Sequence, residues 1–291
     1  MNQDQDCVIP FLFEHLDIRG AWVSLDEAWS RLTQNRRYPP QVARVLGEMS
    51  AVSTLIGANL KQPGRMTFQL RGEGPLNLLV LDCDEQLRLR GMARCQPGGL
   101  PGDLPDDTLK LIGHGHLMLT LDAADMRQPY QSMVPLEAPS IAAIFEHYLT
   151  LSEQQPTRVA LVTHTQRSRG LFLQTLPGAA EKDDDGWNRI QLLLQTLKPE
   201  ELLSLSAPAL LQRLFPEEDI RVFDPRPVCH HCPEDREKIY AMLRSLGREE
   251  CDAVLREHGE IHVRDDICNR DYRLDAAAVE AMFAAPQHTL H

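Results

Sequence analysis

Four side chains near the C-terminus have the types and spacing for thiol or metal chemistry. Cys229 and Cys232 bracket Cys229-His230-His231-Cys232, and Cys268 closes Asp265-Asp266-Ile267-Cys268. A thiolate binds zinc or is oxidised to a disulfide. A thiol pair, a spacer and a further thiol in a turn is the layout of a small module that a metal or a disulfide must close, because its own core is too small. One sulfur is missing for a four-thiolate zinc site. Asp265 stands three residues before Cys268, where that sulfur is expected, and His230, His231 and His262 are the other candidates. A carboxylate suits a thiolate-rich site less well than sulfur does. Zinc on Cys229, Cys232, Asp265 and Cys268 is one reading; a metal-free domain with ordinary thiols is the other. Three strong ligands with an open fourth position is also a catalytic zinc geometry. A zinc-dependent hydrolase, with Glu234 or His262 nominated as base, is therefore a second class of function.

The elements that must position these residues are short. Pro233-Glu234-Asp235 starts a helix with Ile239, Met242, Leu243 and Leu246 on its apolar face, stopped by Gly247. A second helix over 248–258 carries Cys251, Val254 and Leu255. Ile261 and Val263, then Tyr272 and Leu274, alternate as two strands around a tight turn over 265–269, where Asn269 tolerates left-handed backbone. Asp275 caps a last helix. Upstream, the charged run 179–186 reads as a hinge. Trp187, Ile190, Leu193, Leu194 and Leu197 then line one helix face, and Pro199 and Pro208 start two more leucine-rich helices. These carry far more leucine than a solvated linker, so they must lie on something, and they expose a large apolar surface if they leave it.

The preceding part of the chain is scaffold. Residues 42–56 repeat apolar side chains at helical spacing, with Gly47, Ser50, Ala51 and Ser53 interleaved, which predicts a core helix on a sheet. Strands are expected at 18–23, 66–70, 78–81, 87–92, 109–112, 117–121, 159–163 and 171–176, with a helix from about 139 to 151 and a Gly/Pro-rich loop over 96–105. Gly113-His114-Gly115-His116 reads as a turn rather than a metal site, since no third ligand is near in sequence. Ser152 and Glu153 read as a helix end. No nucleophile elbow, phosphate loop or His-Glu-x-x-His motif is present.

The 291 residues allow more than one domain. A formal charge of −12 argues against a nucleic-acid partner. No apolar run reaches membrane-spanning length, and the first residues are acidic where a secretory leader is basic, so a cytoplasmic setting is expected. Seven cysteines in so long a chain are not a secreted disulfide framework; Cys7, Cys83 and Cys95 read as small buried hydrophobes.

Several stretches together resemble the redox-regulated heat-shock chaperones, the 33-kDa chaperonins: IRGAWVSL (18–25), YPPQVARVLGEMSA (38–51), LKQPGRMTFQLRGEGPLNLLV (60–80), GHGHLMLTLD (113–122), YQSMVPLE (130–137), SEQQPT (152–157) and LQTLP (173–177). The resemblance implies an α+β chain. An N-terminal mixed α/β substrate-binding domain with an antiparallel sheet covers 1–178, a helical linker 179–220, and a small zinc-ribbon-like redox domain 221–291. It implies an ATP-independent holdase rather than an enzyme, binding unfolded or partly folded clients under oxidative or heat stress, a homodimer when active, with one zinc per chain. Trp187, Ile190, Leu193, Leu194 and Leu197 are then client-binding linker residues. In that family four cysteines hold the zinc; oxidation forms two disulfides, releases the metal and unfolds the linker and zinc domain. The family pattern is Cys-x-Cys followed by Cys-x-x-Cys, and this chain departs from it. Asp265 takes the place of one thiol. Without a gap, Cys232 takes the first early position and Glu234 the second; with a gap, Cys229 and Cys232 supply both. The two-disulfide switch cannot form in the family's manner. Cys229 and Cys232 remain able to form one disulfide, and Cys251 is a candidate partner for Cys268. The trigger is then either a partial redox switch or, without redox control, heat or unfolding.

Overall fold

The computed structural model describes residues 5–60, 63–96, 104–123 and 126–284; most of the loop expected over 96–105 lies outside them. The chain divides into two compact units, residues 1–231 and 232–291.

The first unit runs β1 (Cys7–Phe13), β2 (Ile18–Leu25), α1 (Glu27–Thr33), α2 (Pro40–Ala58), β3 (Gly64–Gly72), β4 (Leu76–Cys83), β5 (Arg88–Cys95), α3 (Thr108–Ile112), β6 (Gly115–Ala123), β7 (Tyr130–Pro135), α4 (Ile141–Glu153), β8 (Thr157–Thr163) and β9 (Ser168–Thr175). It continues with α5 (Ala179–Lys182), α6 (Gly186–Leu194), α7 (Pro199–Ser204), α8 (Ala207–Leu214), β10 (Ile220–Val222), β11 (Arg226–Pro227) and β12 (Cys229–His230). One sheet has the order β10-β1-β2-β9-β8, with β11 also on β1; the other has the order β12-β5-β4-β3-β6-β7. Pairing is antiparallel throughout except for β12, which lies parallel to β5.

Helix α2 packs against strands of both sheets. That explains why it is buried from Val45 to Gly57 rather than amphipathic. Two of its hydroxyls are satisfied inside the helix: Ser50 Oγ donates to Leu46 O at 2.8 Å and Thr54 Oγ1 to Ser50 O at 2.7 Å. Gly47 is required by proximity, since a Cβ there would stand 2.3 Å from Thr163 Cγ2 on β8.

The sequence 109–112, expected as a strand, is helix α3. The Asp107 carboxylate accepts from Lys110 N at 3.0 Å and so caps a helical turn. Gly113 ends it with φ +72, which turns the chain into β6. The capped turn outweighs the strand preference of a four-residue apolar run.

The second unit contains α9 (Arg236–Leu246), α10 (Arg248–His258), the hairpin β13 (Ile261–Asp265) and β14 (Arg270–Leu274), and α11 (Ala276–Ala284). Its core is Ile239, Leu243, Cys251, Ile261, Tyr272, Leu274, Val279 and Met282.

Candidate functional site

The first sheet is apolar on both faces. On β1, Val8 faces the α2 side, whereas Cys7, Ile9, Phe11 and Phe13 face the other. On β2, Ala21, Val23 and Leu25 face α2, and Ile18 and Trp22 face away. This is the period-two alternation of a strand buried on both sides. The face turned from α2 is covered by helices α6–α8. Ile190, Leu202, Ala207, Leu210, Leu211, Leu214 and Phe215 are buried in one cluster with it, and Trp187, Leu193, Leu194 and Leu197 pack half-buried around them. Phe215 meets Phe13 edge-on at 5.1 Å between ring centroids. Trp187, Ile190, Leu193, Leu194 and Leu197, singled out from the sequence, therefore all belong to one apolar cluster with the sheet.

Ion pairs ring this surface. Arg189 bonds Glu218 at 2.9 Å and Asp183 at 3.1 Å, Arg213 bonds Glu201 at 2.8 Å, and Lys182 bonds Asp17 at 2.7 Å. These pairs face solvent, so water and salt screen them and they add little. The apolar contacts dominate, at about 1.5–3 kcal/mol for each fully buried Leu, Ile or Phe.

After the linker the chain is sewn back onto both sheets. β10 and β11 pair with β1, Arg226 Nη1 donates to Ala58 O at 2.7 Å, and β12 aligns Cys229 with Arg88 and His230 with Leu89. Cys229 is exposed and free. His230 is half-buried; burial, reinforced by the positive charges of Arg31 and Arg36, lowers its pKa and keeps it neutral. Cys229, His230 and His231 thus belong to the first unit, whereas Cys232 begins the second. The Cys-x-x-Cys spacing straddles the division between the two. No periodic signal marks a two-residue strand, so the pairing of Cys229 with β5 is not legible from spacing.

In the second unit Cys232 is disulfide-bonded to Cys268, with Cα atoms 5.6 Å apart. This is neither of the pairings the sequence offered. Cys251 is a buried, free core residue whose Sγ donates to Leu243 O at 3.7 Å, and burial, aided by Asp252 and Glu250, pushes its thiol pKa up. Asp265 acts as a turn cap: its Oδ1 accepts from Ile267 N at 3.0 Å and Cys268 N at 3.1 Å, and Asn269 closes the turn at φ +50. His262 Nε2 is 3.0 Å from Asp271 Oδ1 across the hairpin. Glu234 pairs with Arg236 in solvent, and that contact lowers its pKa, which makes it a weak base.

The zinc implied by the family does not suit this arrangement. Cys232 and Cys268 are spent on each other, Cys251 is a free thiol buried in the core, and Asp265 Oδ1 is committed to backbone N–H groups. Arg270 Nη2 donates to Cys232 O at 3.1 Å, and its buried Nη1 has no partner among the described residues. A guanidinium beside a candidate ligand opposes a second cation. Among the described residues no three His, Cys, Asp or Glu side chains stand together as a metal site.

The profile of the Hsp33 protein family matches residues 6–275. The chain belongs to the Hsp33 family. It is 40% identical over 283 residues to the 33 kDa chaperonin of Methylobacillus flagellatus, covering 97% of this chain and 95% of that one. It is 39% identical over 281 residues to the 33 kDa chaperonin of Nitrosococcus oceani, covering 96% and 95%. The crystal structure of the Thermotoga maritima 33 kDa chaperonin shares the fold, with a TM-score of 0.81 over 96% of this chain and 98% of that one at 21% identity. Hsp33 proteins are redox-regulated chaperones and not enzymes, and the hydrolase reading finds no support. No described helix is long and apolar enough to cross a membrane.

Proposed function

We propose that this Hsp33 protein is an ATP-independent holdase of the cytoplasm. Its client surface is the apolar face shared by helices α6–α8 and the sheet they cover. The observation that carries this reading is the single buried cluster joining Phe11, Phe13, Ile18 and Leu173 of the sheet to Ile190, Leu210, Leu214 and Phe215 of the linker. A segment that leaves this sheet exposes matched apolar faces on both sides, which is what an unfolding polypeptide binds. Trp187, Leu193, Leu194 and Leu197 form the rim of that surface. The division into a substrate-binding domain to 178, a linker to 220 and a thiol-bearing module beyond it describes which parts move, with a homodimer as the active form. The hairpin and its thiol turn are the zinc-ribbon-like part of the module.

The test is light scattering of a thermally unfolding client with stoichiometric chaperone and no ATP. Suppression by heat-treated, oxidised or reduced protein is expected. Absence of suppression in all three states ends the holdase reading.

A further inference from the structure

We propose that the Cys232–Cys268 disulfide is the staple that keeps the C-terminal module folded, so that reduction, and not oxidation, loosens it. The use made of that loosening rests on the holdase reading; the staple itself does not. Four observations meet here.

The bond closes across 36 positions. Those positions hold α9, α10 and β13, and with them Ile239, Leu243, Cys251 and Ile261 of the module's core. Next, its Cα atoms are 5.6 Å apart within the folded unit, a separation that a disulfide spans without moving backbone. Oxidation and the folded hairpin are therefore compatible. Third, the turn carrying Cys268 is held by the Asp265 carboxylate through two backbone N–H groups, so it needs no metal to keep its shape. Finally, eight buried side chains make up the core, and a core of that size rarely holds a fold without a staple.

In a metal-held module, oxidation removes the thiolates from the ion and the fold goes with it. Here Cys232 opens the module and Cys268 lies in its hairpin turn, and joining them closes a loop around α9, α10 and β13. Closing this loop lowers the open population by about 500-fold. In the opening reaction a dithiol reductant gives two electrons and two protons to the Cys232–Cys268 bond. The S–S bond breaks, two thiols form, and the reductant becomes a cyclic disulfide. In the closing reaction hydrogen peroxide takes two electrons and two protons from the thiols; the S–S bond forms and two waters leave.

The experiment uses the full chain, oxidised or reduced, each with and without chelator treatment, with metal content measured. Limited proteolysis reports cleavage within 232–284, and hydrogen exchange reports the same region against residues 5–60. The oxidised form should be protected, and the reduced form cleaved on the order of several hundred-fold faster. Cys232→Ser and Cys268→Ser should behave like reduced protein in both states. Cys229→Ser, placed outside the bond, should keep the redox difference. Equal cleavage in the two states, greater lability after peroxide, or a reduced form that carries one zinc and is the more protected would each overturn the proposal. Client aggregation measured on the same samples separates the two readings. Failure to suppress aggregation in either state counts against the holdase alone, and loss of the protection difference counts against the staple alone.

Discussion

If the covered sheet face is the client surface, undercutting the linker should activate the chaperone without any trigger. Leu210 is the position to change: it is fully buried in α8 against the sheet cluster. Leu210→Ala removes three buried carbons and leaves a cavity, at a cost of about 2–5 kcal/mol. Taking ~3 kcal/mol as the middle of that range, the linker-open population rises about 100-fold, since each 1.4 kcal/mol is tenfold. Two controls isolate the effect. Leu192 lies on the outer side of α6 and is 55% exposed, so Leu192→Ala should change stability by no more than about 0.5 kcal/mol. Leu46→Ala cuts an equally buried leucine out of α2 and weakens the core between the sheets without freeing the linker. The assay pairs hydrogen exchange over 186–215 with suppression of client aggregation at a temperature where wild type is silent. Faster exchange and constitutive suppression are expected for Leu210→Ala only. If exchange in the linker rises and suppression does not, or if Leu46→Ala activates equally well, the client surface lies elsewhere.

Three further outcomes follow from the geometry. Burial raises the Glu48 pKa above its ordinary 4.5, against the opposing pull of Arg44. The folded state therefore keeps a proton that the unfolded chain releases, and stability falls as pH rises from 4.5 through the raised value; Glu48→Gln should flatten that slope in urea titrations across the window. Arg169, 4% exposed, bonds Asp26 and lies 5.9 Å from the Trp22 ring, so Arg169→Ala should cost about 1–3 kcal/mol by leaving Asp26 only the longer pair to Arg167 at 3.7 Å, and Arg169→Met less, read as a shift in the unfolding midpoint. In the hairpin turn, Asp265→Ala should cost about 1–2 kcal/mol and release the Ile267 and Cys268 amides to exchange, whereas Asp265→Asn, which keeps the acceptor, should leave both protected.

The parts of the fold legible in the sequence are those with a period long enough to read. Helix α2 was visible in its spacing, although only its two-sided burial explains the serines and glycines between the apolar positions. The linker was visible as leucine with nowhere to go, and Asn269 as the left-handed corner of the hairpin. Strand β1 was not legible: CVIPFLF is buried on both faces, so it lacks alternation, and Pro10 argues against a strand. Its partners on one side explain the proline. β11 reaches Cys7 and Val8, β10 reaches Phe11 to Phe13, and Pro10, lacking an N–H, falls where neither pairs. The thiol site was half legible. Chemistry pointed to Cys232 and Cys268, but the nearness of Cys229 in sequence stood in for nearness in structure. Which sulfurs bond depends on the hairpin turn and on β12, and both are tertiary features.

The two faces of the first sheet also explain how one of them can open while the fold survives. The α2 face belongs to a core that runs on through the second sheet and α4, so it does not depend on the linker. The linker face is covered by helices of 9, 6 and 8 residues. Isolated helices shorter than about 12–15 residues are marginal in water, so these hold their shape only while docked, and undocking yields a flexible apolar chain rather than three free rods. The docked state carries a defect as well. Trp22 is buried in this cluster, yet its Nε1 has no hydrogen-bond partner among the described residues, a penalty of about 1–3 kcal/mol that water would relieve on opening. A cover made of short helices, ringed by weak ion pairs and lying over an unsatisfied donor, has the features that the proposed release requires.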